Sequence, residues 1–557
     1  MQQLIEYLTA IDNYISGHPI FIITLIGTGL FFTIYLGFPQ IKYFRKSIQI
    51  LQGKHDNKNS DGDASHFQAL ATALSGTVGT GNIAGVALAI HLGGPSALLW
   101  MVLTALIGMA TKLVEVTLSH KYREKLPDGT MTGGPMYYMK RRLNIKFKHK
   151  TIPTGKWLAI LFSCFTLICA FGTGCLPQIN SISSSMCTSF GISKVLIGAI
   201  LAIVLASVVL GGIKRIVSVT EKLVPLMAIV YIGGALTVII CNIENLLPGL
   251  GQMFSNALTG TSACGGFLGA SVAMALSKGI NRGLFSNEAG QGSAPIAHAA
   301  ARCKNSVQEG LVALLEPFID TVIICMLTGM LIISSGVWNQ KYTNEFQMAD
   351  LLILNNTYDS PSKIKKAITD KDKHFDGVIM VDKGSIIDQD ITIIHAHSVA
   401  EDIQILANGQ PYDGIINIKS GIPILKSEDD KVITMKGKSL LHSAPLTMKA
   451  FSISIFGDYG EYIVTFSLLL FAFSTAIAWC YYGDRASSFL FGPRAIIPFR
   501  VIYVIAFFIG AFTDTSIVWS IASIGIVLMS MPNLIGILIL HKEMYNEIQK
   551  LDQEAKK

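Results

Sequence analysis

The sequence predicts an all-α polytopic membrane protein of about eleven spans, interrupted late in the chain by a small β-rich insert. Three observations carry that reading. Of 557 residues, 51% are hydrophobic and 15% are charged, whereas a soluble domain has roughly 25% charged. The apolar residues fall in runs of the length a bilayer demands, roughly 20 residues per helix. Two of those runs carry glycine clusters that an unbroken helix would not hold, and freed backbone is tolerated inside a membrane only around a buried polar site.

The N-terminus has no basic n-region and no cleavage site, so it does not read as a signal peptide. Leu4, Ile5, Leu8, Ile11 and Ile15 share one helical face, which fits a short helix lying at the interface. The spans then follow as Pro19–Pro39, His66–Leu92, Ser96–His120, Lys156–Thr188, Ser193–Gly212, Lys222–Cys241, Ser262–Lys278, Gly310–Ser335, Glu461–Tyr482, Phe499–Thr513 and Thr515–His541. The net charge is +7. The positives lie in alternate loops, a topology signal and not the footprint of a nucleic acid. Lys42, Arg45 and Lys46 follow the first span, and Lys121, Arg123 and Lys140 to Arg142 the third. Lys214 and Arg215 follow the fifth, Arg282 and Arg302 the seventh, Arg485 and Arg494 the ninth, and Lys542 the eleventh. This alternation places the N-terminus outside and the C-terminus in the cytoplasm of a multi-pass protein of the cell (inner) membrane.

One region does not read as bundle. Between the eighth and ninth spans, Trp338–Lys449 is polar and charged, with Ile and Val alternating with polar residues in Gly377–Asp382, Ser385–His395 and Gly414–Ile424. The chain therefore divides into membrane bundle 1–337, a β-rich insert 338–449 and membrane bundle 450–557. Topology puts the insert outside, where it offers a surface to an unknown extracytoplasmic partner. It holds no Cys. The nine Cys of the chain sit in or beside apolar segments without metal-ligand spacing and read as small packing residues.

The second and seventh spans are the broken ones. Ala64–Thr111 contains no Asp, Glu, Lys or Arg, yet carries Gly-Thr-Val-Gly-Thr-Gly-Asn at Gly76–Asn82. The seventh span carries Gly265, Gly266 and Gly269 in an apolar run. The breaks lie five spans apart, so spans two to six and seven to eleven form two groups of five. An odd-numbered repeat inserts upside down, and matched broken helices in inverted halves mark a midplane site. Half-helix N-termini suit a carboxylate. Unwound carbonyls, the Thr77 and Thr80 hydroxyls and the Asn82 carbonyl oxygen suit a hard cation such as sodium.

These stretches also carry a family resemblance. Ala71–Val86, Gly93–Arg123, Gly129–Met139, Arg282–Ala301 and Phe471–Arg485 resemble the alanine or glycine:cation symporters, and the resemblance covers the chain apart from the insert. It implies a five-plus-five inverted-repeat transporter bundle with one extra N-terminal helix, and symport of a small neutral amino acid with sodium. It implies a substrate pocket of Thr77, Gly79, Thr80, Gln178, Thr475 and Trp479. It implies one sodium on Asn82 and the Thr77 carbonyl, and a second between the Ser75 and Val78 carbonyls and Ser474. Trp479 would limit side-chain size. The chain departs from the family pattern at Gly174–Asn180, where Pro177 precedes Gln178 and Ser181 and Ser185 stand at usually apolar positions. Proton coupling, and an amino-acid-binding channel or receptor, are the alternatives; an organic cofactor is not expected.

Lys112 and Glu115 are spaced for a local ion pair. Glu316 and Asp320, at i and i+4, put like charges on one face of the eighth span, with Pro317 between them; paired carboxylates would also serve an intramembrane enzyme. Asn287 and Glu288 are candidate inner-gate residues, and His298 reads as structural. No Walker loop and no nucleophile–base arrangement is present, which argues against ATP-driven transport and against an enzyme.

Overall fold

A computed structural model describes residues 11, 14–15, 19–54, 60–147, 150–387, 390–424, 433–513 and 515–554. Leu4, Ile5 and Leu8 of the expected interfacial helix lie outside the described residues. Seven described helices are long and apolar enough to cross a membrane: Ser96–Lys121, Thr154–Phe190, Gly212–Cys241, Ser306–Ser335, Gly457–Phe491, Pro493–Gly510 and Ile521–Ile539. The pair His66–Thr77 and Gly81–Gly93, bent by 54°, is together long and apolar enough for an eighth. Ile20–Tyr35 and Lys194–Val209 are shorter apolar helices. The chain is thus a multi-pass, mostly helical membrane protein.

The first break forms where the sequence asks for it. Ser65 opens His66–Thr77 with a capping box: its hydroxyl accepts the Gln68 amide, and the Gln68 side chain accepts the Ser65 amide at 2.9 Å. The helix ends after Thr77. Val78 is extended (φ −79°, ψ 91°), and the chain restarts as a π-helical turn, Gly81–Gly85, before Val86–Gly93. Thr154–Phe190 also breaks at mid-length, between Thr154–Gly172 and Leu176–Phe190, with Pro177 in the first turn of the second half.

The second break lies elsewhere than Gly265, Gly266 and Gly269. Residues 262–271 form no helix. Thr261 and Ala270 pair through their backbones at 2.8 Å in both directions, and the Gly266 amide donates to the Asn339 carbonyl at 2.7 Å. Gly266 of this apolar loop packs against Lys341 and Leu440. Composition alone made it look like a span. The seventh helix runs from Val272 to Asn287, capped by Ser271. It breaks at Glu288, which is left-handed (φ 53°), passes two further left-handed residues, Gly290 and Gly292, and resumes as Ala294–His298.

The described residues of 341–440 form three antiparallel sheets. Leu351–Asn355 pairs with Ile391–His395, Gly377–Asp382 with Gly414–Lys419, and Ile433–Leu440 with both Lys341–Glu345 and Glu401–Ala407. Period-two alternation builds its core. Ile379 and Val381 point inward with Ile405, Ile416, Phe346 and Met435, while Val378 and Met380 face out.

The long helix Gly460–Phe491 is buried through most of its middle, including Ser474, Thr475 and Trp479. It passes both His66–Thr77 and the kinked pair Thr154–Phe190, which brings three breaks and one straight helix to the same depth.

Candidate functional site

A cavity opens where those breaks meet. The first break supplies Gly76, Thr77, Gly79, Thr80 and Gly81. The kink of Thr154–Phe190 supplies Thr173 and Gln178, the second break supplies Phe285 and Glu288, and the long helix supplies Thr475 and Trp479. Thr77, Gly79, Thr80, Gln178, Thr475 and Trp479, distant in sequence, therefore line one space. Its volume is about 10 Å³, room for about one water.

Four buried polar atoms around this space have no hydrogen-bond partner: Thr80 Oγ1, Thr173 Oγ1, Gln178 Oε1 and Trp479 Nε1. A buried polar atom left unpaired costs about 1–3 kcal/mol, so most native polar atoms are paired. Here hydroxyls and an indole N–H converge with an amide oxygen. Gln178 is aimed by its own amide, whose Nε2 donates to the Thr173 carbonyl at 3.1 Å. These polar atoms suit a ligand that is both acceptor and donor.

Close packing fixes the walls. A Cβ on Gly79 would lie 2.5 Å from Thr475 Oγ1, and one on Gly174 would lie 2.0 Å from Trp479 Cβ. Only glycine fits at either place. Trp479 also meets Tyr482 edge-on, ring centroids 5.4 Å apart.

Beside the cavity, two hydroxyls of the long helix face two carbonyls of the first break. Ser474 Oγ is 3.4 Å from the Ser75 oxygen, and Thr475 Oγ1 is 3.4 Å from the Val78 oxygen. On the other side, Asn82 spans the break. Its Oδ1 accepts the Gly79 amide at 2.8 Å, and its Nδ2 donates to Asp320 Oδ1 at 2.6 Å. The second Asp320 oxygen accepts from Ser286 and Thr321, each at 2.7 Å. The first cluster gathers hydroxyl and carbonyl oxygens and the second adds a carboxylate, the oxygen chemistry that hard cations favour.

Asp320 and Glu316 do not act as a pair. Glu316 turns to Lys112, at 3.1 Å, and lies 3.7 Å from His298. A π-helical stretch, Phe318–Cys325, begins between the two acids. Its wider turn carries Asp320 toward the first break; π-bulges frequently mark functional sites. Lys112 is 3.9 Å from Glu115, farther than from Glu316. His298 Nδ1 meets Glu309 at 2.5 Å, and His66 holds the other Glu309 oxygen. Asn287 caps the end of its helix, its Oδ1 accepting the Ala289 amide at 3.1 Å. Glu288 lines the cavity. Thr173, Gly174, Phe285 and Asp320 were not singled out for the pocket in the sequence. The intramembrane charge at Asp320 was the one available signal among them.

The profile of the sodium:alanine symporter family matches residues 1–357 and 416–557, and the gap falls within the strand-rich segment. An uncharacterized transporter of Haemophilus influenzae is 34% identical over 550 residues, covering 99% of this chain and 96% of that protein. The sodium/alanine symporter AgcS of Methanococcus maripaludis is 33% identical over 558 residues, covering 99% of each. The probable sodium/glutamine symporter GlnT of Bacillus subtilis is 37% identical over 342 residues, 61% of this chain and 68% of that one. The family consists of transporters and not enzymes. A multi-pass chain that bends two helices around a shared polar cavity, and matches the family profile over residues 1–357 and 416–557, belongs to the sodium:alanine symporter family.

Proposed function

We propose that this protein is a secondary active symporter that carries alanine or glycine into the cell together with sodium. The observation that supports it most is the ring of four unpartnered polar atoms around a cavity walled by Trp479 and Phe285. A zwitterion of small side chain meets that demand. Its carboxylate takes the Thr80 hydroxyl and the free amides that open the helix at Gly81, where the helix dipole favours an anion. Its ammonium faces the acceptors, Gln178 Oε1 among them. Trp479 and Phe285 leave little room for a longer side chain, which favours alanine or glycine over the glutamine named for one relative.

In this reading one sodium binds Asn82, the Thr77 carbonyl and the Asp320 carboxylate. A second binds the Ser75 and Val78 carbonyls with the Ser474 and Thr475 hydroxyls. Both ions tie the first break to a neighbouring helix, so sodium orders the pocket before the amino acid enters. The cavity is too small for alanine as it stands, so the helices must part to load it. The frame is eleven spans in two inverted groups of five plus an N-terminal span. The N-terminus and the insert 338–449 lie outside, and the C-terminus is cytoplasmic. The membrane potential contributes about 2.3 kcal/mol per charge per 100 mV.

Binding of labelled alanine to the purified protein tests this. Saturable binding that glycine displaces and sodium strengthens is expected. Binding that ignores sodium, or none with either amino acid, overturns it.

A further inference from the structure

The buried charges around the site separate into a balanced group and a remainder. Lys112 faces Glu316 at 3.1 Å and Glu115 at 3.9 Å. Glu309 is held between His66 and His298, and His298 also approaches Glu316 at 3.7 Å. Three carboxylates thus share one lysine and two imidazoles, a neutral group when both imidazoles are protonated. Asp320 and Glu288 stand outside it. Asp320 has the sodium assigned to it above.

Glu288 has no such partner among the described residues. It is 3% exposed and lines the cavity. Its one hydrogen bond from a neighbouring side chain comes from the uncharged Ser293 hydroxyl, at 2.5 Å. The ionisable groups that surround it are Lys112 from Ser96–Lys121, Glu316 and Asp320 from Ser306–Ser335, Cys169 from Thr154–Gly172 and Tyr482 from the long helix. The one cation among them, Lys112, is already shared by two carboxylates. Glu288 also caps the C-terminal end of Val272–Asn287, the negative end of a helix dipole, which attracts a cation and repels an anion. A buried carboxylate so placed must hold either a proton or a positive ligand, because an unpaired buried ion costs several kcal/mol. The two sodium ions are assigned above to other residues, so the positive ligand left for Glu288 is the ammonium.

We propose that Glu288 binds the ammonium of the transported amino acid and carries a proton whenever that ammonium is absent. The proposal rests on the symport reading above and adds a proton to its stoichiometry. On the outer side the zwitterion enters, the Glu288 O–H bond breaks, its proton passes to the outer solution, and the carboxylate takes the ammonium. On the inner side the zwitterion leaves and the carboxylate takes a proton from the cytoplasm. One proton moves outward for each amino acid moved inward.

The test uses full-length protein in liposomes with a trapped pH dye, weak buffer, clamped potential and an inward sodium gradient. Adding labelled alanine is expected to alkalinise the lumen by about one proton per alanine taken up. Glu288→Asp keeps the signal; any uptake that survives in Glu288→Gln carries none. As a measurement independent of variant folding, alanine binding to purified wild type should release about one proton to the buffer. Lactate, with a hydroxyl in place of the ammonium, should release none. Alanine accumulation with unchanged or falling lumen pH overturns the proposal and leaves symport standing. Absence of alanine uptake by wild type overturns symport, and this proposal with it.

Discussion

Asp320→Asn removes one charge and no volume from the oxygen cluster at the first break. The carboxylate now accepts three hydrogen bonds, from Asn82 at 2.6 Å and from Ser286 and Thr321 at 2.7 Å. An asparagine offers one oxygen and an NH₂ that points donor to donor at a neighbour, so at least one of the three is lost. If a sodium completes this cluster, the substitution also removes the charge that faces it. Removing one partner of a desolvated charge pair costs about 2–5 kcal/mol. A mid-range value of about 3 kcal/mol corresponds to about a hundredfold weaker sodium dependence. The assay is alanine uptake into proteoliposomes as a function of external sodium, with protein recovery and monodispersity checked in parallel. The half-saturating sodium concentration should rise about a hundredfold, and uptake should recover at high sodium. A well-folded variant with the wild-type sodium dependence would refute the placement of an ion at Asp320.

Other expectations follow from the same geometry. Trp479→Ala should open the pocket to longer side chains, where each methylene is worth about 1–3 kcal/mol of discrimination; competition uptake should show larger neutral amino acids gaining about tenfold on alanine, and wild-type selectivity would contradict it. Gly79→Ala drives a Cβ to 2.5 Å from Thr475 Oγ1, so alanine binding should be lost while the protein still folds; retained binding would mean that the ligand sits elsewhere. In the insert, burial pushes the His395 imidazole down from its usual 6.5 to about 4, with Asp350 and His442 the charged groups nearby. The unfolded chain binds that proton first, so the insert loses stability as pH falls from about 6.5 toward 4. Burial opposes ionisation of Asp350, but its 3.0 Å bond from His442 prevails and holds the carboxyl below its usual range. Its contribution is present above the ordinary carboxylate value and is lost as pH falls through the lowered one. Limited proteolysis of the insert should quicken over this acid range, and an unchanged rate would count against both assignments.

The first break was legible because Gly76–Asn82 combines glycine with polar side chains in a charge-free run, and Gly76, Thr77, Gly79, Thr80 and Gly81 of that run line the cavity. The second was misplaced for a physical reason. Residues 262–271 are apolar and read as membrane, yet they form a loop whose backbone groups pair with one another and with Asn339. The true break, Glu288–Gly292, is polar and so read as a loop beyond the span's end at Lys278. Hydropathy reports what an element is made of, whereas the position of a break depends on which backbone groups find partners. The reading of Glu316 and Asp320 as one face assumed an unbroken α-helical turn, which the π-helical stretch at Phe318–Cys325 does not keep. The strands of the insert were visible through alternation. Within the alternating stretch Gly414–Ile424, the turn at Ser420 and Gly421 separates the strands Gly414–Lys419 and Ile422–Ile424. Thr173 and Phe285 gave no signal, because a hydroxyl or a ring in an apolar helix ordinarily serves packing.

Whether a sodium gradient alone can drive alanine uphill decides the central claim. Purified protein in liposomes loaded with potassium and diluted into sodium, with the membrane potential clamped, should transiently raise internal alanine above the external concentration. Replacing external sodium with potassium should abolish the rise. Alanine that only equilibrates across the membrane, or enters equally well without sodium, would contradict the account.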